Sequence, residues 1–456
     1  MSKRTLFGTD GIRGKANTSP VTPEIALRLG RAAGFLLRES ASEQPAARPR
    51  FVIGRDTRRS GAMLEAAFVA GLNSVGADAL LAGVIPTPGV ACLVRELGAT
   101  GGVVISASHN PAVDNGLKLF GGDGYKLDDA LEERLEELIL TGEIDAVRPS
   151  GAQVGTVSEI PDALQRYGAS AKASVPGMTL HGLQIALDCA NGASYQTTPG
   201  VLRDLGATLV LSHTAPDGLN INENCGSTHA EAISRLVRET GAQIGISHDG
   251  DADRLVLCDE LGEIVDGDEI LAMTALDALA RGTLAGKTLV ATVMSNFGLD
   301  ECLAAAGGQV LRTAVGDRYV VEAMREGNFS IGGEQSGHLI FRDHGTTGDG
   351  LLAALQVLRI MTESGKPLSE LRKCLNKYPQ AQRNLRVKAK PSLDSLPEVA
   401  HLVAATEAAL EGKGRVLLRY SGTEAKVRLL IEGPEEAVIQ AAADAIASAL
   451  IVAIGE

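Results

Sequence analysis

Residues 51–81 read FVIGRDTRRSGAMLEAAFVAGLNSVGADALL. An apolar, β-branched run gives way to a polar turn, then to a helical stretch ending at Gly76, then to a second apolar run. Strand, helix, strand at this spacing predicts a right-handed crossover between parallel strands. The pattern recurs at 183–211, LQIALDCANGASYQTTPGVLRDLGATLVL, and at 288–313, TLVATVMSNFGLDECLAAAGGQVLRT. Gly76, Gly206 and Gly307 fall where a helix needs a left-handed terminating residue. Three α/β domains with mainly parallel, mixed sheets follow.

The rest of the chain fits around these units. Thr22 followed by Pro23 marks the start of an earlier helix, and the Pro/Arg-rich stretch 40–50 reads as a loop. The last segment differs in kind: GRVLLRYSGTEAKVRLLIEG predicts two strands joined by a polar turn, with a helix opening at Pro434, as expected of a smaller α+β domain. The expected domains are 1–155, 156–255, 256–367 and 368–456, set around a central cleft. A length of 456 residues suits such a division.

Composition narrows the function. The net charge of −13 argues against a nucleic-acid partner, which needs basic residues to displace counterions. Six dispersed cysteines without a C-x-x-C pair predict reduced thiols. The start lacks a signal-peptide core and no uninterrupted apolar run reaches about 20 residues, so a cytoplasmic protein without a membrane partner is expected. With 3% aromatics and no Trp, a sugar would be read by polar groups. A homodimer is compatible with the sequence.

HDGDADR, 248–254, places Asp249, Asp251 and Asp253 between two strand-like flanks. Taken as extended, the segment points all three carboxylates to one side, where adjacent charges ~7 Å apart repel by about 2 to 3 kcal/mol. Either the turn is solvated or a hard cation, Mg²⁺ foremost, gathers them. An EF-hand is excluded: Glu260 stands at position twelve, but Arg254 stands where glycine is required. GTLAGKT, 282–288, is one residue too short for a Walker A loop and precedes its strand. TTGDG, 346–350, reads as a helix cap.

GGVVISASHNP, 101–111, runs a strand into a turn carrying Ser108 and His109. With DNGLKLFGGDGYK, DGDADR, GGEQSGH (332–338) and RYSGTE (419–424) following in order, the chain resembles the α-D-phosphohexomutase family over nearly its whole length. GTDGIRG, PDGLNIN, CGSTH and VGDRYV add to the likeness.

The resemblance implies that Ser108 carries a transferable phosphate. Asp249, Asp251 and Asp253 would then bind Mg²⁺ with a phosphoserine oxygen of Ser108 as the fourth ligand. Arg13 and Arg254 are candidates for further charge neutralisation, beside His109. Lys118 and His338 match proposed acid/base groups, a role that would require the Lys118 pKa to fall well below ~10.4.

Glu334 and Ser336 match a sugar-binding loop. Arg419, Ser421, Gly422 and Thr423, assisted by Arg428, match a distal phosphate site. Tyr420 and Ala425 stand where related sequences commonly carry other residues. Gln335, where mannose- and glucose-selective relatives often carry methionine, points to the glucosamine branch.

The implied reaction interconverts glucosamine 6-phosphate and glucosamine 1-phosphate through a 1,6-bisphosphate. Glucosamine or glucose 1,6-bisphosphate would serve as activator, and the product is an amino-sugar precursor of cell-wall material. Rival readings are a phosphoglucomutase or phosphomannomutase, a Mg²⁺-dependent phosphatase, and a non-catalytic sugar-phosphate binder.

Overall fold

The computed structural model describes residues 5–8, 10–40, 48–421 and 425–456. Gly422 and Thr423 of the expected phosphate loop, and most of the 40–50 loop, lie outside the described residues.

The first sheet holds β1 (Ile12–Lys15), β2 (Arg50–Arg55), β3 (Asp78–Val84), β4 (Gly101–Ile105), β5 (Asp114–Gly121) and β6 (Val157–Glu159), in the order β1-β5-β4-β2-β3-β6. Its β4-β2-β3-β6 part is parallel, β5 returns antiparallel to β4, and β1 pairs antiparallel with β5. The second sheet holds β7 (Gln184–Asp188), β8 (Thr208–Ser212), β9 (Ile244–His248), β10 (Leu255–Asp259) and β11 (Ile264–Val265), ordered β11-β10-β9-β7-β8. The third holds β12 (Thr288–Thr292), β13 (Gln309–Thr313), β14 (Ile331–Gly333) and β15 (Leu339–Phe341), ordered β13-β12-β14-β15. The last is antiparallel: β16 (Gln380–Arg386), β17 (Arg415–Tyr420) and β18 (Lys426–Glu432), ordered β16-β18-β17.

Each repeated unit takes the conformation its punctuation dictates. Gly76, Gly206 and Gly307 have φ of 86°, 99° and 82°, the left-handed region open to glycine. The first helix runs Pro23–Ser40, and Ile25 N donates to Thr22 Oγ1 at 3.3 Å. Asp349 caps the helix Gly350–Ser364, accepting from Leu352 N at 2.9 Å. The C-terminal helix starts at Glu436, two residues beyond Pro434.

The sheets run past the expected domain limits. β6 pairs with β3, so the first sheet extends beyond residue 155. β10 and β11 fold back on β9, so the second sheet extends to Val265 and a division at 255 would cut its hairpin. The last sheet begins only at Gln380. β6 adds in parallel and β10–β11 as an antiparallel return, each beyond the βαβ unit that periodicity marks.

One apolar cluster runs from Val52 and Val104 through Ile185, Leu187 and Leu255 to Leu289, Leu351, Leu355 and Leu358, joining the first three domains. The fourth closes its own core from Val427, Ile431, Ile439 and Ile446. Its helix Glu436–Ile454 is long and apolar enough to cross a membrane by length and composition, yet lays Ile439, Ala443, Ile446 and Leu450 against that core.

Candidate active site

Ser108 lies in the turn after β4, buried and non-glycine at φ 51°. Its Oγ donates to Asp249 Oδ2 at 2.5 Å and faces His109 Nδ1 at 3.3 Å. Adjacency alone does not make a serine and histidine converge; here the left-handed turn does.

The acidic triplet occupies the turn between β9 and β10. The extended reading of that segment is corrected: Ala252 takes φ 56°, so the carboxylates converge by a turn and not by strand alternation. Oxygens of Asp249, Asp251 and Asp253 lie within 4.8 Å of one another, and all three residues are buried. Gly250 keeps the turn close to the serine loop, since a Cβ there would stand 2.6 Å from the Ser108 carbonyl oxygen.

Two triplet oxygens, Asp251 Oδ1 and Asp253 Oδ1, are buried without a hydrogen-bond partner among the described residues. Burial together with the charges of Asp253 and Asp251 pushes the Asp249 carboxyl well above its ordinary value. Orphaned hard oxygens beside mutually repelling carboxylates fit a hard divalent cation.

Lys118, on β5, meets Asp251 Oδ2 and Asp10 Oδ2 at 3.0 Å each, and Asp253 Oδ2 at 3.7 Å. Burial opposes its charge, but these three carboxylates outweigh burial and push the ammonium above its ordinary pKa. The expected depression is thus corrected: Lys118 is held protonated.

His338, after the β14–β15 turn, places Nδ1 and Nε2 each 3.6 Å from Asp253 Oδ2 and Asp317 Oδ2, and Nε2 accepts from Gly348 N at 3.1 Å. Burial lowers its pKa, and Asp253 and Asp317 raise it by more. Lys126 closes the circuit, 2.6 Å from Asp10 Oδ1 and in contact with Asp317. Asp253, Lys118, Asp10, Lys126 and Asp317 therefore alternate in charge, and His338, beside both Asp253 and Asp317, completes a ring drawn from three domains.

His109 behaves oppositely. Burial, with Arg254 and Arg13 nearby, lowers its pKa to about 4, leaving a neutral imidazole.

Arg13, Ser108, Asp253, Arg254, Glu334, His338, Arg419, Ser421 and Arg428 line one cleft of about 900 Å³. Arg13 is held by Asp10 at 2.7 Å, and Arg254 N donates to Asp249 Oδ1 at 3.2 Å. Glu334 accepts from Gly316 N at 3.1 Å, whereas Ser336 is exposed in the adjoining turn and does not line the cleft. Gly337 permits this turn to press on the second domain: a Cβ would meet Leu255 O at 2.1 Å.

Arg419 and Arg428 are cross-strand partners on β17 and β18. Two like charges side by side at a cleft wall suit an anion, and Arg419 Nε is buried without a hydrogen-bond partner among the described residues. Tyr420 Oη donates to Pro391 O at 2.7 Å and Lys390 Nζ to Ser421 O at 2.8 Å, anchoring the described end of the loop.

Sequence reasoning did not assign Asp10, Lys126 or Asp317. Their signal was present in GTDGIRG, GDGYK and VGDRYV, but only the fold brings the three together.

A serine loop, an acidic turn, a glutamate-bearing loop and an arginine pair thus reach one cleft, each from its own sheet. Residues 4–145, 165–262 and 266–378 match the alpha/beta/alpha domains I, II and III of phosphoglucomutase/phosphomannomutase, and 383–449 match its C-terminal domain. The chain belongs to the phosphoglucomutase/phosphomannomutase family.

Within it, the chain is 51% identical to a phosphoglucosamine mutase of Anaeromyxobacter sp. (strain Fw109-5), covering 99% of this chain and 96% of that one. A phosphoglucomutase/phosphomannomutase family protein of Burkholderia thailandensis shares the fold with a TM-score of 0.81 at 24% identity, over 98% of this chain and 97% of that one. N-acetylphosphoglucosamine mutase of Aspergillus fumigatus, in complex with GlcNAc-6P and magnesium, has a TM-score of 0.68 at 20% identity, over 98% and 96% of the two chains.

Proposed function

We propose that the chain interconverts glucosamine 6-phosphate and glucosamine 1-phosphate, with Ser108 as the phosphate carrier and a 1,6-bisphosphate as intermediate. The observation that carries this reading is the 2.5 Å contact between Ser108 Oγ and Asp249 Oδ2, which joins a nucleophile from the first sheet to an acidic turn from the second.

Asp249, Asp251, Asp253 and Ser108 would hold Mg²⁺, which when bound neutralises charge on the phosphoryl group. Arg13 and Arg254 add positive charge at the cleft wall. His109, neutral and 3.3 Å from Oγ, takes the hydroxyl proton as Ser108 is phosphorylated. His338, which lines the cleft, takes the sugar hydroxyl's proton in one half-reaction and returns it to the departing sugar oxygen in the other, and Lys118, held as an ammonium, offsets the charge of the acidic turn. Glu334 orients the sugar, and Arg419, Ser421 and Arg428 grip the phosphate that is not reacting. Gly422, Thr423 and Ser336 belong to the same loops.

The test is a panel of glucosamine, glucose and mannose 6-phosphates assayed with wild type and Ser108→Ala, each primed with glucose 1,6-bisphosphate. Highest kcat/KM for the amino sugar, abolished in Ser108→Ala, is expected. Normal turnover by the alanine enzyme refutes the carrier role; preference for glucose or mannose refutes the substrate; release of free phosphate indicates a phosphatase.

A further inference from the structure

Behind the serine loop lies a buried ion pair that none of the assigned roles uses. Arg58 and Asp56 are 1% and 0% exposed, and Arg58 Nε donates to Asp56 Oδ2 at 2.8 Å. The carboxylate reaches the serine through one hydroxyl: Ser106 Oγ donates to Asp56 Oδ2 at 2.6 Å and accepts from Ser108 N at 2.9 Å. The guanidinium reaches it from the other side. It donates to the carbonyls of Ser108 at 2.9 Å, Asn110 at 2.8 Å and Asp114 at 3.0 Å, and to that of Pro111. Asn222, from the second domain, donates to the same Ser108 and Asn110 carbonyls at 2.9 and 3.0 Å.

Both backbone polar groups of Ser108 are therefore pinned. This matters because Ser108 is non-glycine at φ 51°, a conformation that costs of order 1 kcal/mol or more and persists only where the surroundings over-determine it. Stability alone does not account for the pair, since buried ion pairs are generally matched or bettered by apolar residues of the same volume. A planar fork serving four carbonyls and a carboxylate also demands arginine over lysine.

We propose that Arg58, with Asp56, is a positioning residue for phosphoryl transfer. It locks Ser108 in the left-handed turn that aims Oγ at Asp249, and it keeps that aim through both half-reactions. The inference rests on the reading of Ser108 as the phosphate carrier.

The test uses full-length wild type, Arg58→Lys, Arg58→Met and Asn222→Ala. Each is primed with glucose 1,6-bisphosphate, Ser108 phosphorylation is counted by intact mass, and turnover is expressed per phosphorylated molecule. Asn222→Ala removes donors to the same carbonyls without stranding a buried charge, so it decides the matter if the Arg58 variants do not fold. Turnover per phosphorylated molecule is expected to fall ~100-fold in Arg58→Lys and roughly 10-fold in Asn222→Ala, with KM near wild type. A structural role alone would lower the phosphorylated fraction and leave turnover per phosphorylated molecule at the wild-type value; that result overturns the inference. Wild type that neither turns over nor phosphorylates on Ser108 instead sinks the parent reading, and this inference with it.

Discussion

Thr87 Oγ1 donates to Asp251 Oδ2 at 2.7 Å, the same oxygen that Lys118 Nζ meets at 3.0 Å. Thr87 N also donates to the Asp251 carbonyl at 3.0 Å, so the first turn of the helix Thr87–Glu96 fixes both the backbone and the side chain of one triplet member. Outer-shell hydrogen bonds of this kind orient metal ligands, and their loss typically weakens metal binding 10- to 100-fold. Thr87→Val should raise the Mg²⁺ concentration for half-maximal activity roughly 10-fold, with most of the loss recovered at saturating Mg²⁺. An unchanged Mg²⁺ titration would contradict the assignment.

Lys118 compensates the buried carboxylates of Asp251 and Asp253 and the partly exposed one of Asp10. Lys118→Met leaves Asp10, Asp251 and Asp253 without it, and breaking a buried pair in this way costs about 3–5 kcal/mol. Thermal unfolding without divalent ions should show that loss. Added Mg²⁺ should stabilise the variant more than wild type, because the cation supplies part of the missing charge; equal stabilisation of both proteins would argue that Lys118 and the ion do not share the triplet.

Glu136 ties down the start of the chain. Its carboxylate accepts from Thr5 N at 2.6 Å, Thr5 Oγ1 at 2.8 Å, Leu6 N at 3.1 Å and Phe7 N at 3.2 Å. Burial opposes the charge, but these donors outweigh it and lower the pKa. Because the folded value is depressed, the contribution is complete above the unfolded pKa near ~4.3 and is lost as pH falls through the folded value. Glu136→Ala should therefore cost about 2–3 kcal/mol at pH 7. The difference from wild type should shrink on acidification below pH ~4. A gap that widens in acid would reverse the sign assigned to this carboxylate.

Arg419 faces the cleft beside Arg428, and burial together with that neighbouring charge lowers its pKa. A phosphate dianion relieves both penalties. Arg419→Gln should raise KM for the sugar phosphate roughly 10- to 100-fold, as loss of one or two charge-assisted hydrogen bonds implies, with a smaller effect on kcat. Steady-state kinetics check this, and a kcat effect larger than the KM effect would move Arg419 from grip to chemistry.

The βαβ units and the loops at their strand ends were legible because each is local: an apolar run, a turn and a helix occupy adjacent residues. Ser108 and the triplet were legible for the same reason, as compact motifs. The way the triplet converges was not, because Ala252 carries no sequence mark of its left-handed φ. The Lys118 charge state was missed since Asp10 lies 108 residues away, and its weight depends on the antiparallel pairing of β1 with β5. Arg58 was invisible as a positioning group: its acceptors are backbone carbonyls, which every sequence contains.

The circuit through Asp253, Lys118, Asp10, Lys126, Asp317 and His338 has a further consequence. The first domain brings Asp10, Lys118 and Lys126, the second Asp253, and the third Asp317 with His338. Parting the second domain from the first would separate Asp253 from Lys118, and parting the third from the first would separate Asp317 from Lys126. The floor of the cleft thus ties the seating of each domain to the charge balance of its neighbour.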